Sequence, residues 1–535
     1  MNKVKTKYKD LNLEDVEYIK HIYYSKNSHR EKMDILTGRF GVGERTIRSW
    51  WKNMDLVNVS SDLNYQLKKA QDRALNKDTE VLLVTAAQNK TAVNKDFLES
   101  LKMYQKFIEK KLGKKTEIVI IPTRYRNPTS NVEKEKTKAN DWWEPELEPY
   151  LFYGKVDFGD TLISADSRIS PTAKDPLLGY EILANERHLV LGHSKIHFKT
   201  LPRLRKEALR TMSTTGYATV KNYSVSKAGE VAFENHSYGF VVVELKDDGT
   251  CYIPRNVKVT KAGTFIDIIH SVTPQGVTQI DSSLGLVWGD IHARVLNKTF
   301  VEVTKKLTTL LKPEKNVLHD VLDGSTFNPH ELFDMFIQRR KIIEGKHLVK
   351  EELNESLNFI EEIKGCCGEV CVVESNHDVF LDRYVNSENW KKDLHNSPAY
   401  LEMAYIQQTV DLREYGNIFG YLVHERFGDA VPYLKMGSSM KIGGYECALH
   451  GDFGTNGAKG NVKGFGRLNV KLITAHTHSP MIFNNTTCVG LSSYTEQYYN
   501  RKGFSSWALA HSVIHKNLKN QLLTFGDDYS LSGLI

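Results

Sequence analysis

Leu284-Gly-Leu-Val-Trp-Gly-Asp-Ile-His292 is an apolar run that ends in a carboxylate and an imidazole. Four of its first five residues are apolar, as in a strand buried on both faces. Gly289 then marks a turn, and Asp290 and His292 follow two positions apart. On extended backbone that spacing sets both side chains on one face. A carboxylate and an imidazole leaving a buried strand together make half of a metal site.

Toward the C-terminus the same pattern recurs. KNVLHDVLDG ends in Asp320 and Asp323, and EVCVVESNHD ends in Asn376, His377 and Asp378. YECALHGD is a shorter strand ending at His450, and KLITAHTHSP carries His476 and His478, again two apart. In an α/β sheet the carboxyl ends of strands are where such groups converge on a ligand. The donors are hard oxygens and imidazoles without thiolate, a set that suits manganese, iron, magnesium or zinc.

The order of these motifs resembles the calcineurin-like metallophosphoesterase superfamily, whose pattern is D-x-H, G-D, G-N-H-D/E, H and G-H-x-H. The likeness covers roughly residues 280–530. Three glycines of the pattern are replaced, by His319, Ser375 and Ala475. Helical sequence fills a long gap between the second and third motifs, and a further insertion separates Asp378 from His450. The resemblance implies an α/β core of sheets flanked by helices, with a dinuclear metal site at the strand ends. It implies one ion held by Asp290, His292, Asp320 and His478. A second would be held by Asp320, Asn376, His450 and His476, with Asp320 bridging. Two cations roughly 3.5–4 Å apart can clamp a phosphate and activate water in line with the leaving oxygen. His377 is placed to protonate that oxygen or to stabilise phosphate charge, with Asp378 orienting it. The expected cofactors are two divalent ions, Mn2+ foremost, with Mg2+ or another divalent ion as the alternative.

Toward the N-terminus, three stretches read as a βαβ unit: TEVLLVTAAQ, a helix with Phe97, Leu101, Tyr104, Phe107 and Ile108 on one face, and TEIVIIPTRYRNP. No G-x-G-x-x-G or G-x-x-x-x-G-K-S/T occurs, so neither dinucleotide nor P-loop chemistry is supported. Any ATPase partner would be a separate polypeptide. Residues 126–141 read as an exposed loop. From residue 142 to about 280, short apolar runs alternate with turns in an α/β region. Its His193, His197, His236 and His270 read as ordinary structural histidines.

Residues 11–56 read as three short helices with a turn at Gly41-Val42-Gly43. This is a helix-turn-helix-like pattern in which Ile47 and Trp50 or Trp51 face inward. Arg45, Thr46, Arg48, Ser49 and Lys52 face outward, with Arg45, Arg48 and Lys52 as candidate DNA contacts. The alternative is a module that joins subunits. The net charge is +7, and residues 1–56 hold twelve Lys and Arg against eight Asp and Glu, more than half of the excess. A second basic cluster comprises Lys199, Arg203, Arg205, Lys206 and Arg210. Both clusters suit a polyanionic partner.

The domain reading is thus 1–56, a helix-turn-helix-like module; 57–78, a linker; 79–280, an α/β accessory region; and 281–535, a catalytic domain with helical insertions. No apolar run reaches the ~20 residues that span a bilayer, and MNKVKTKYKD has no apolar signal region, so no membrane is expected. Cys251, Cys366, Cys367, Cys371, Cys447 and Cys488 form no zinc-finger or disulfide framework, which points to the cytoplasm. Within the superfamily the whole is most similar to the SbcD-like DNA exonuclease branch. It is similar, too, to phage pre-early proteins that degrade host DNA, which would place it in the host cytoplasm. The resemblance implies a metal-dependent DNase that partners DNA and forms a homo-oligomer. The competing readings are a nucleotide or protein phosphatase or phosphodiesterase, and a DNA-binding regulator with an inactive metal site.

Overall fold

The computed structural model describes residues 11, 13–24, 28–51, 75–124 and 143–535, apart from positions 166, 168, 205, 206, 330, 333, 367, 388, 498, 499 and 501. The chain divides into two compact units, Met1–Ala74 and Leu75–Ile535.

In the first unit, helices Leu13–Tyr24 and His29–Phe40 are followed by helical residues 44–51. Ser28 starts the second helix with a capping box: its hydroxyl accepts from the Glu31 N–H, and the Glu31 carboxylate accepts from the Ser28 N–H. Gly41 ends that helix at φ 63°, a left-handed conformation open to glycine without steric cost. Ile19, Met33, Leu36, Ile47, Trp50 and Trp51 form the core, so both tryptophans are buried within this unit. Arg45 and Arg48 are exposed, and Arg48 makes an exposed ion pair with Glu44 at 3.4 Å. Lys52 lies outside the described residues.

In the second unit, a six-stranded sheet carries most of the motif strands. Its order is Tyr433–Leu434, Glu369–Val373, Pro313–His319, Ser283–Val287, Ala510–Ile514 and Asn520–Thr524. The first four strands are mutually parallel, and the last two join by antiparallel pairing. Alternate residues serve two cores. Leu286, Leu318 and Val372 pack under helices Lys298–Leu311, Val349–Lys364, Asn376–Asn386, Ser397–Thr409 and Ile418–Phe427. Val287, Val317 and Val373 face Ile442, Tyr445 and Ile473 of a second sheet. Burial on both faces is why these strands read as unbroken apolar runs.

The second sheet has ten strands. It starts with Lys441–Ile442, Tyr445–Glu446, Lys471–Thr474, Thr486–Cys488 and Met481–Phe483. It continues without interruption into Phe198–Thr200, Thr211–Thr214, His188–Leu191, Thr161–Ser164 and Lys155–Phe158. The join is the antiparallel pairing of Met481 with Lys199 and Ile482 with Phe198. One sheet therefore crosses the sequence position, near 280, that divides the accessory region from the catalytic domain.

Val81–Gln88 and Thr116–Thr123 pair in parallel across helix Lys95–Phe107, whose Phe97, Leu101 and Tyr104 are buried. Residues 126–141 lie outside the described residues. The basic cluster of the middle region is largely engaged: Lys199 pairs with Glu181, Arg203 with Asp527 and Arg210 with Asp160. Arg205 and Lys206 lie outside the described residues. Neutralised in this way, the three described cations are poor candidates for holding a polyanion. Among the described residues, no helix is long and apolar enough to cross a membrane.

Candidate metal centre

The strand Ser283–Val287 stops before the D-x-H motif, so extended alternation is not what brings Asp290 and His292 together. Asp290 is held by its N–H, which donates to the Gly490 carbonyl at 2.9 Å. Gly289 beside it has no room for a side chain, since a Cβ there would lie 2.7 Å from the Ala510 carbonyl oxygen. His292 then turns back at φ 46°, its N–H donating to the Asp320 carbonyl. Asp320 (φ 51°), His476 (φ 70°) and His478 (φ 56°) share this left-handed backbone. Non-glycine residues seldom adopt it, and such strain gathers at functional sites. Here it aims side chains that a strand would splay apart.

Asp290, His292, Asp320 and His478 come together with one donor atom from each within 4.8 Å of the others, and all four are buried. His292 Nε2 lies 3.3 Å from Asp320 Oδ2 and 3.2 Å from His478 Nε2. His478 Nε2 lies 3.1 Å from Asp290 Oδ2, which also accepts from the His476 N–H. His450 approaches the same carboxylates, its Nε2 3.8 Å from Asp320 Oδ2 and its Nδ1 4.0 Å from Asp290 Oδ1. The His476 ring packs edge-on to that of His450, with centroids 5.1 Å apart. A second ligand-like group, His292, Asp323 and His377, shares His292 with the first. Asp320, Asn376, His377, His476 and His478 all line one cavity of about 660 Å³.

The donor atoms are otherwise unprovided for. Asp290 Oδ1, Asp320 Oδ1, Asn376 Oδ1, His478 Nδ1 and both nitrogens of His450 are buried without a hydrogen-bond partner among the described residues. Each such atom costs roughly 1–3 kcal/mol if left unsatisfied. Divalent cations would take the carboxylate and amide oxygens and one nitrogen of the His450 ring, so these residues fit the ions that the motif pattern implies.

The charges are set by proximity. Burial, and next the neighbouring Asp320, push the Asp290 carboxyl up to about 8. Burial opposes charge on His292, yet Asp320, Asp323 and Asp290 outweigh it and hold the imidazole at about 9. Burial likewise opposes ionisation of Asp320, but the imidazoles of His377, His292 and His450 keep it far below the usual carboxylate range. Burial thus favours protonation of Asp290 while the carboxylates favour protonation of His292, and a cation would compete with those protons.

His377 donates from Nδ1 to the Asp323 carbonyl, which turns Nε2 toward the cluster, 4.0 Å from Asp320 Oδ2. Asp378 does not orient it, contrary to expectation. Its carboxylate accepts from the Ser375 N–H at 2.9 Å and the Tyr433 hydroxyl at 2.8 Å. With Ser375 it forms the capping box of helix Asn376–Asn386, so it fixes the helix that carries Asn376 and His377. Asp323, which the motif pattern leaves without a role, brings its Oδ1 to 3.4 Å from His292 Nδ1. Its position three residues beyond Asp320 is the signal in the sequence. Trp507, packed edge-on to His478 with centroids 4.3 Å apart, carries none.

The replaced glycines are accounted for. None of His319, Ser375 and Ala475 takes a positive φ, so no position there requires glycine. Ser375 caps the helix, and His319 stacks on His450 with centroids 5.8 Å apart. The four accessory histidines stand apart from the centre. His193 bonds to the Ser170 carbonyl, His197 to Asn484, His236 to Tyr223 and Thr219, and His270 to the Leu534 carbonyl.

The sequence is similar to Protein A1 of Escherichia phage T5, with 29% identity over 462 residues that take in 83% of this chain and 81% of that protein. No family model matches the chain. No solved structure matches it either. The fold is α/β, with mixed sheets, flanking helices and a buried Asp/His centre able to hold divalent cations. That combination is consistent with a metal-dependent hydrolytic enzyme of the metallophosphoesterase superfamily in general.

Proposed function

We propose that this protein is a metal-dependent phosphodiesterase that hydrolyses DNA. The observation that carries the reading is the convergence of Asp290, His292, Asp320 and His478, with His377 Nε2 turned toward them. When bound, two divalent ions, Mn2+ foremost, supply Lewis-acid activation of water and of the phosphoryl oxygens. Asp290, His292, Asp320 and His478 would hold one, and Asp320, Asn376, His450 and His476 the other. Asp323, 3.4 Å from His292 Nδ1, steadies that ring. His377, its Nδ1–H committed to the Asp323 carbonyl, is left with Nε2 to carry a proton to the leaving oxygen. Lys459 and Lys502 line the same cavity and set positive charge where a phosphodiester would enter.

Three features favour DNA over a small phosphoester. The first unit holds two exposed arginines, Arg45 and Arg48, on a helix that follows a glycine-bounded turn. The helical insertion between the second and third motifs lines a further cavity beside the centre, room for a substrate that continues past the scissile bond. The sequence similarity is to a phage protein, which suits an SbcD-like nuclease that degrades host DNA in the host cytoplasm. A regulator with an inactive centre is disfavoured, because the donors of the motif pattern are all present.

The test is incubation of the full chain with plasmid and linear DNA, with manganese or with chelator, beside a chromogenic phosphodiester. Metal-dependent loss of DNA is expected. Turnover of the chromogenic ester with DNA left intact would instead mark a nucleotide or protein phosphoesterase. Inactivity on every phosphoester with manganese bound would favour the regulator.

A further inference from the structure

A second cavity, of about 760 Å³, adjoins the metal pocket. The two share Asn328, Glu331, Ile337 and His377, so the His377 imidazole stands in their common wall. If His377 protonates the leaving oxygen from Nε2, that oxygen lies between the ring and the metal donors, and the strand attached to it has a path beside the ring into the second cavity.

Its lining is unusual for a solvent-facing surface. Helix Met335–Ile343 buries Ile337 but leaves Phe336 87% exposed at the cavity, and Tyr494 lines it as well at 53% exposure. Large aromatic faces left in water are unfavourable, and a ligand that stacks on them removes the cost. Five carboxylates and five Lys or Arg line it, so its charge balances overall, but not every cation is paired. Its Glu331, Glu344 and Glu355 are engaged by Lys341, Arg340 and Arg294. Lys298 and Lys346 make no ion pair or side-chain hydrogen bond among the described residues.

We propose that this cavity receives the leaving-group side of the substrate strand in unpaired form. The bases stack on Phe336 and Tyr494, and Lys298 and Lys346 hold the phosphates that follow. The inference rests on the DNA-hydrolase reading and adds to it a preference for single strands or frayed ends. The volume falls within the roughly 300–1,000 Å³ of cavities that enclose small ligands. It therefore suits one or two nucleotides rather than a duplex. Stacking requires a base whose face is free, which pairing within a stacked duplex denies.

The experiment uses the full chain with manganese. It compares wild type, Phe336→Ala, Tyr494→Ala and the double variant Lys298→Gln/Lys346→Gln on a single-stranded oligonucleotide and on the blunt duplex of the same sequence. Manganese stoichiometry is measured for each. Loss of a stacking partner should raise KM for the single strand roughly 5- to 150-fold. At saturation kcat should change far less, and the preference for single strand over duplex should narrow. The lysine variant should flatten the slope of log affinity against log salt by about 1.4, at roughly 0.7 per lost contact on single strands. The proposal is overturned if both aromatic variants keep KM within twofold, or if kcat falls while KM stays. Altered manganese stoichiometry in the aromatic variants would assign these side chains to the fold and overturn it too. Should wild type cleave no DNA of either form, the DNA reading itself fails, a result distinct from unchanged KM in the variants.

Discussion

Asp320 is the carboxylate toward which the imidazoles of His292, His377 and His450 all turn. Replacing it by Asn keeps the shape and tolerates the left-handed φ of 51° while removing the charge. Asp320→Asn should lose most manganese binding by calorimetry and nearly all turnover, with the circular dichroism spectrum unchanged. His377→Ala should behave differently: turnover falls roughly 10²–10⁴-fold while manganese still binds. Loss of metal in proportion to activity in that variant would make His377 a ligand. Away from the centre, burial holds His236 at about 3, with its ring bonded to Tyr223 and Thr219. Because the folded value lies below that of the unfolded chain, only the unfolded chain takes up this proton between about pH 6.5 and 3. Stability therefore drops as pH falls through that window. His236→Gln should lessen the dependence by about 1.4 kcal/mol per pH unit, read from urea unfolding at pH 6 and pH 5.

Among the secondary-structure elements, the parallel strands Ser283–Val287, Pro313–His319 and Glu369–Val373 all deliver their motifs at carboxyl ends. The last of them feeds helix Asn376–Asn386, whose capping box fixes where Asn376 and His377 emerge. In the N-terminal unit the corresponding question is what residues 44–51 touch. With Trp50 and Trp51 both buried in the unit's own core, the outward surface of that helix is polar. If it holds duplex DNA, replacing Arg45 and Arg48 by Gln should reduce the slope of log affinity against log salt by roughly 0.9 per lost contact. Unchanged DNA affinity, together with a change in solution mass on deleting residues 1–56, would assign the unit to subunit contact instead.

Across the second unit, the ten-stranded sheet is the feature with the largest consequence. Cutting the chain at residue 281 would strip the strand Met481–Phe483 of its partner Phe198–Thr200 and leave an open edge. It would also orphan the C-terminal residues, since the Gly533 N–H and Ser532 hydroxyl donate to Glu244 and the Leu534 carbonyl accepts from His270. Glu244 is in turn paired with buried Arg255 at 3.1 Å. Residues 75–535 should therefore fold as a monodisperse, cooperatively unfolding protein, whereas residues 281–535 alone should aggregate. Size-exclusion chromatography and thermal melts of the two fragments check this. A monodisperse, cooperatively melting 281–535 would show that the shared sheet is dispensable.

Read alone, the chain marks its buried strands and its candidate donors. Strands covered on both faces must be apolar throughout, and Asp290, Asp320, His450 and His478 stand out as polar residues at the ends of such runs. The βαβ unit is legible for a related reason, because strand and helix periods are local properties of the chain. How the donors meet is a matter of three-dimensional packing. Asp290 and His292 are aimed by a left-handed turn and by bonds to Gly490 and Asp320, contacts that a spacing of two does not encode. Asp378 caps a helix instead of holding His377, and Asp323 takes that place through its carbonyl, because of which backbone atoms lie across the site. The continuation of the second sheet into residues 155–214 depends on the edge of Met481–Phe483 finding Phe198–Thr200. Pairing between strands so far apart in the chain follows from packing, which leaves no periodic mark on either segment.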